Sequence, residues 1–276
     1  MPNRRIDKLI CGRLVLQRVV RVELTPEVSG SNLPSYELNP EAGGNTVAVV
    51  VDVLRASTTI IQALAAGAVA VVPCASAEQA RLQGGKLNPM RVLLAGEKGG
   101  LKPAGFDLGN SPVEYTAMRL RGKTVFLGTT NGTRALVSVS GFGQILVGAF
   151  VNLSALIDEL SQQPGPVRVV CAGHLGQPCD EDTLFAGWLV RGLTQIADTF
   201  QPAKDAGTAR ALAMVKGMTG IELPGALLAT CHGKNLLAMG FGADVARAAA
   251  LDSLPVVPQL RRNPLRLELM GPGPRD

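Results

Sequence analysis

Aromatic residues are scarce in this chain of 276 residues: one Trp, two Tyr and seven Phe. Histidine is scarcer still, with only His174 and His232. The five cysteines (Cys11, Cys74, Cys171, Cys179, Cys231) include no C-x-x-C pair, so no zinc-site spacing is present. They are odd in number and widely spaced, which argues against a disulfide framework and for a reducing compartment. Cys74 and Cys171 lie in or beside apolar runs, where a thiol packs as a small hydrophobe. Long apolar runs are missing too. The longest, from Thr46 to Val53, is interrupted by Asp52 and falls far short of the roughly 18–20 residues of a membrane helix. The short stretch Leu9 to Leu16 is broken by Gly12 and Arg13 and makes a poor signal peptide, so a cytoplasmic location is expected.

What charge there is lies mostly at the ends. The net charge is +5, yet residues 1–21 alone carry +5 and residues 259–276 carry +2, which leaves −2 for the body. A folded nucleic-acid reader would show a basic stripe on the body. None is present, so no nucleic-acid partner is expected.

The chain is 46% hydrophobic with 32 Gly and 18 Pro in no periodic arrangement. Disorder and rod-like repeats are therefore excluded. Val47 to Val53 reads VAVVVDV, a run suited to a strand buried on both faces. Helical stretches alternate with further strands at 68–73, 91–95, 123–128, 144–148 and 167–172. Ser76-Ala77-Glu78-Gln79 is a capping box, and Ser111-Pro112-Val113-Glu114 carries three helix-start signals. Beyond Asp182 the pattern turns helical, over 182–197, 205–216, 224–239 and 244–251. The reading is a three-layer α/β/α fold with a largely parallel sheet and a helical C-terminal part. Segments 49–67 and 169–187 share a strand–loop–threonine–helix layout, which fits either two similar α/β halves or two unrelated buried strand–helix units. The expected organisation is a basic flexible leader over 1–20, an α/β half over 21–165, a second α/β-helical half over 166–260 and a flexible tail over 261–276.

Ligands of open α/β sheets bind at the carboxyl ends of strands, and four such loops concentrate polar residues here. The first holds Asp52, Arg55, Ser57, Thr58 and Thr59 at a helix N-terminus, a cradle for an oxyanion with a guanidinium fork. Alternatively, Ser57 caps the helix and Asp52 pairs with Arg55. The second, Gly96 to Asn110, is Gly-rich with Lys98, Lys102 and Asp107, and lacks the G-K-[ST] end of a P-loop. The third holds Thr129, Thr130, Asn131, Gly132, Thr133 and Arg134. The fourth runs from Gly173 to Thr183 and contains His174 and the carboxylate row Asp180-Glu181-Asp182. Such a row either caps a helix N-terminus or binds a hard divalent ion through oxygen. Asp52, Arg55 and Arg134 are the catalytic candidates. Ser57, Thr58, Thr59, Lys98, Thr130, Asn131, Gly132 and Thr133 are the candidates for holding a small phosphorylated anion, and Asp107, Asp180, Glu181 and Asp182 for holding Mg²⁺. Metal-assisted phosphoryl chemistry is the leading class.

The ordered motifs VVVDVLRASTTI, GFDLGNSPVEY, GTTNGTRAL and DEDTLFAG resemble the 2-phosphosulfolactate phosphatase family. Residues 21–27 resemble its first strand, and His232-Gly233 with Asp244 and the stretch to Val256-Val257-Pro258 its C-terminal part. The resemblance implies a Mg²⁺-dependent hydrolase that converts (R)-2-phospho-3-sulfolactate to 3-sulfolactate, a step toward coenzyme M in methanogens. A homodimer is left open. The motif is not of the haloacid-dehalogenase type, because Leu54 stands two past Asp52 where an Asp is required, and no Cys-x₅-Arg loop exists. Another metal-dependent enzyme on a phosphorylated small acid, such as a mutase or lyase, and a non-catalytic anion-binding domain are the alternatives.

Overall fold

The computed structural model describes residues 9–10, 13–14, 17–26, 45–129, 131–139 and 141–270. At positions 9, 10, 13, 14, 133, 134 and 137 it describes the backbone alone. In chain order the strands are β1 (Leu9–Ile10), β2 (Arg13–Leu14), β3 (Arg18–Glu23), β4 (Val47–Val51), β5 (Ala70–Cys74), β6 (Val92–Gly96), β7 (Thr124–Gly128), β8 (Gln144–Gly148), β9 (Val167–Cys171), β10 (Phe200–Pro202), β11 (Pro258–Arg262) and β12 (Leu265–Leu269). The helices are α1 (Ala56–Ala65), α2 (Ala77–Gly84), α3 (Ala117–Leu120), α4 (Asn131–Ser138), α5 (Leu153–Gln162), α6 (Asp180–Ile196), α7 (Ala206–Met214), α8 (Leu223–Ala229), α9 (Cys231–Ala238) and α10 (Gly242–Ala248).

β1 and β2 pair with each other, and the remaining ten strands form one sheet in the order β10-β3-β9-β4-β8-β11-β12-β5-β7-β6. The fold is three-layer α/β, as the alternating pattern predicts. Two parallel blocks, β10-β3-β9-β4-β8 and β5-β7-β6, are joined by the antiparallel hairpin β11–β12. This hairpin corrects the expected tail: residues 261–269 are in the middle of the sheet, while 271–276 lie outside the described residues. At the other end Arg18–Val20 already belong to β3, so the expected leader over 1–20 overlaps the sheet. The sheet also runs through the expected 165/166 division, because β9 sits between β3 and β4.

The continuous valines of β4 have two faces to fill. Val47, Val49 and Val51 pack with Phe185, Leu189 and Leu156 on the side of α5 and α6. Ala48 and Val50 pack with Ile60, Ile61 and Leu64 of α1. Each fully buried valine contributes roughly 1.5–3 kcal/mol of burial. α1 contacts β8, β11, β12 and β5, so it lies beneath the join between the blocks, and eight of its ten residues are buried. That position explains its lack of any charged residue.

Local signals acted with three differences. Ser76 caps α2 by accepting from the Gln79 N–H (3.1 Å), but the Gln79 side chain reaches back to the Ala75 N–H. Ser111 opens only a 3-10 turn, Pro112–Glu114, because its hydroxyl is used elsewhere. The helix expected over 224–239 is two helices, α8 and α9, broken at Thr230, whose hydroxyl caps α9 through the Gly233 N–H (2.9 Å).

Candidate active site

The carboxyl ends of β4, β6, β7 and β9 converge on one cleft of about 400 Å³. Its lining includes Asp52, Arg55, Glu97, Gly100, Asn110, Asn131, His174, Glu181, Asp182 and His232. Two helices of the C-terminal half complete it: α6 supplies Glu181 and Asp182, and α9 supplies His232 and Asn235.

Asp52 follows β4 and sits at the N-terminus of α1. Its Oδ1 accepts from the Ala56 N–H (3.2 Å), where the helix dipole favours a negative charge. Burial nonetheless pushes its carboxyl up to about 6. The charge of His232 and the Ala56 bond work against that rise, and Glu181 and Glu97 add to it. Gly132 explains how α4 comes so close: a Cβ there would stand 2.8 Å from Ala56 Cβ and 3.0 Å from Asp52 Oδ2. Asp182 accepts from the N–H groups of Val53 (2.8 Å) and Gly173 (3.2 Å), tying the first loop to the fourth. Burial, then the neighbouring Asp52 and Glu181, hold its carboxyl well above the ordinary range. Cys179, whose thiol burial pushes upward, donates to the same carboxylate (3.4 Å). Glu181 is buried and accepts from His232 Nδ1 at 3.1 Å. Burial alone would lower the His232 pKa. The Glu181 bond and charge, with Asp52, outweigh it, so the imidazole holds its proton more firmly than a free one. The His174 ring lies 5.8 Å from that of His232, and its Nδ1 is 3.4 Å from the Asn131 amide.

Arg55 is 4% exposed and does not pair with Asp52. Its Nη1 donates to Asp244 Oδ2 (2.8 Å) and its Nη2 to the Gly100 carbonyl (2.6 Å), with the guanidinium over the Phe241 ring. Asp244 accepts from the Ser111 hydroxyl at its other oxygen (2.6 Å).

Of the residues singled out from sequence, Asp52, Arg55, Asn131, Glu181 and Asp182 line the cleft. The hydroxyls beside them are structural. Ser57 accepts from the Asp52 N–H, Thr58 donates to the Val53 carbonyl and Thr59 to the Asn110 carbonyl, all three buried. Gly132 is a packing residue. Lys98 points outward against Glu78 at 3.8 Å, an exposed pair of little energetic weight. Asp107 accepts from the Leu94 N–H (2.8 Å) outside the cleft, and Asp180 pairs with Arg210 (3.3 Å) on the surface. Thr130 and the side chains of Thr133 and Arg134 lie outside the described residues. Glu97, Asn110, His232 and Asp244 are the site residues that spacing alone did not single out. Among the described residues, no three His, Cys, Asp or Glu side chains converge closely enough to hold a metal ion by themselves.

The 2-phosphosulpholactate phosphatase family model matches residues 34–263. A Synechococcus sp. (strain JA-2-3B'a(2-13)) protein described as a probable 2-phosphosulfolactate phosphatase is 41% identical over 80% of this chain and 90% of its own length. A probable 2-phosphosulfolactate phosphatase of Pseudothermotoga lettingae is 37% identical over 77% of this chain and 88% of its own. One of Symbiobacterium thermophilum is 38% identical over 82% and 94%. With its four strand-end loops converging on one acidic cleft, the chain belongs to the 2-phosphosulpholactate phosphatase family of phosphoric monoester hydrolases.

Proposed function

We propose that this chain hydrolyses 2-phospho-3-sulfolactate to 3-sulfolactate and phosphate with the help of Mg²⁺. The observation that carries the metal is the charge of the cleft. Asp52, Glu97, Glu181 and Asp182 line it. Among the described lining residues Arg55 is the one guanidinium or ammonium group, and it faces the carboxylate of Asp244. A substrate with a phosphate, a carboxylate and a sulfonate could not settle there against that field unaided. Burial raises the Asp52 carboxyl first, and Glu181 and Glu97 add to that rise against the charge of His232. The donors are hard oxygens, as Mg²⁺ prefers. Such an ion keeps several waters and substrate oxygens, so two protein carboxylates from Asp52, Glu181 and Asp182 suffice. When bound, the ion would supply Lewis-acid stabilisation of the phosphoryl oxygens.

The residues then divide the work. Arg55 holds an anionic group of the substrate. Asp52 takes a proton from the attacking water or accepts the phosphoryl group itself. His232, oriented by Glu181, gives its proton to the leaving alkoxide oxygen. No helix among the described residues is long and apolar enough to cross a membrane, and a cytoplasmic enzyme with no nucleic-acid partner fits this reading. The test is phosphate release from 2-phospho-3-sulfolactate. Activity is expected with Mg²⁺, lost in EDTA and restored by added Mg²⁺. Binding without turnover would favour an anion-binding domain, and full turnover in EDTA would remove the metal. A phosphorylated protein trapped at Asp52 in single turnover would select the covalent route.

A further inference from the structure

The C-terminal helices are fastened to α1 by two side-chain ties one turn apart on α10. Asp244 binds Arg55, and Arg247 binds Gln62 through Nε at 2.9 Å and Nη2 at 2.5 Å. Each tie continues into the segment around residue 110. The second oxygen of Asp244 takes the Ser111 hydroxyl, and the Gln62 amide donates to the Tyr115 carbonyl (3.0 Å). The two ties differ in what they touch. Arg247 and Gln62 do not line the cleft, whereas Arg55 does and also anchors the Gly100 carbonyl of the Gly-rich loop. Asp244 is 1% exposed and both its oxygens are engaged. A buried carboxylate so held fixes a guanidinium in one orientation, since the planar fork cannot turn without breaking a charged hydrogen bond.

We propose that Asp244 is a positioning residue for substrate anion binding: from the C-terminal helices it sets the Arg55 guanidinium, and through it the Gly100 loop, while Arg247 only docks α10. The proposal rests on the reading of Arg55 as a cation for the substrate. It assigns Asp244 no contact with the reacting atoms, so its loss should weaken binding more than chemistry.

The test compares Asp244→Asn with Arg247→Ala in the full-length chain. Asp244→Asn is expected to raise KM about tenfold, with kcat changed by less than about threefold. Arg247→Ala is expected to lower Tm and leave KM as it is. Ser111→Ala keeps the carboxylate but frees one of its oxygens, and should move KM in the same direction by less; it carries the test if Asp244→Asn does not fold. Calorimetric binding of inorganic phosphate, a probe independent of turnover, should weaken in parallel with KM. Equal KM shifts in Asp244→Asn and Arg247→Ala, or unchanged KM and phosphate binding in Ser111→Ala and Asp244→Asn, would overturn the proposal. A wild-type protein that binds phosphate but never turns over 2-phospho-3-sulfolactate would instead fault the proposed reaction, and the phosphate comparison would still judge Asp244.

Discussion

Asp52 ends a strand of valines, and its cost shows as a carboxyl raised from 3.8 to about 6, mainly by burial. The sign of the linkage follows. Between those values the unfolded chain has released this proton and the folded protein keeps it, so the folded state loses stability as pH rises through the window. The full penalty, about 2–3 kcal/mol, is present above pH 6. Metal-free Asp52→Asn should therefore melt higher than wild type at pH 7 and nearly equal it at pH 4, while its phosphate release in Mg²⁺ falls by about 10²-fold or more. Melting curves at both pH values check this, and matching curves for the two proteins across the range would contradict it. An Asp52–Arg55 pair predicts the reverse, a collapse of folding, but Arg55 is held by Asp244. At this scale the sequence was half legible. Asp52 stood out because a carboxylate in an apolar run needs a reason. The row Asp180-Glu181-Asp182 could not be read for direction. Consecutive helical residues point about 100° apart, so Glu181 and Asp182 turn inward and Asp180 meets Arg210. His232 and Asp244 were invisible to spacing because their partners, Glu181 and Arg55, are 51 and 189 residues away.

Among the elements, the parallel strands and their helices were legible from β-branched runs and caps, since both faces of each central strand need covering. The hairpin β11–β12 was not. Its residues, with Arg261, Arg262 and Arg266 among them, have the composition of an exposed end. The pairing of Gln259 with Leu146 and of Leu267 with Val71, with Leu260 and Leu267 buried in the core, draws them into the sheet. A close helix contact is also hidden from pattern reading. α6 meets α7 at Gly187, where an added Cβ would stand 2.2 Å from the Ala211 carbonyl oxygen. Gly187→Ala must push the helices apart and should cost about 1–3 kcal/mol, read as a lower denaturant midpoint with an unchanged slope. A midpoint equal to wild type would show that α7 yields freely.

Across the whole molecule, one apolar cluster joins the two parallel blocks. Val50 and Val147 of the first share it with Val71, Val125 and Leu127 of the second, through Ile60, Ile61 and Leu64 of α1. The strands of the repeated layout of 49–67 and 169–187, β4 and β9, are neighbours in the first block, while the helix of the first copy, α1, lies across the join. Calorimetry should therefore record a single unfolding transition whose calorimetric and van't Hoff enthalpies agree. Two separate transitions would mean that the blocks fold as independent units.

The place of the β11–β12 hairpin has a consequence for biosynthesis. A growing chain makes β8 and β5 long before residues 258–269 emerge from the ribosome, and until then each presents an unpaired strand edge. Such edges recruit other chains. The nascent protein thus keeps these two edges open to aggregation until β11 and β12 have been made. Slowed elongation or chaperone loss between β8 and β11 should harm its yield more than the same delay near β3.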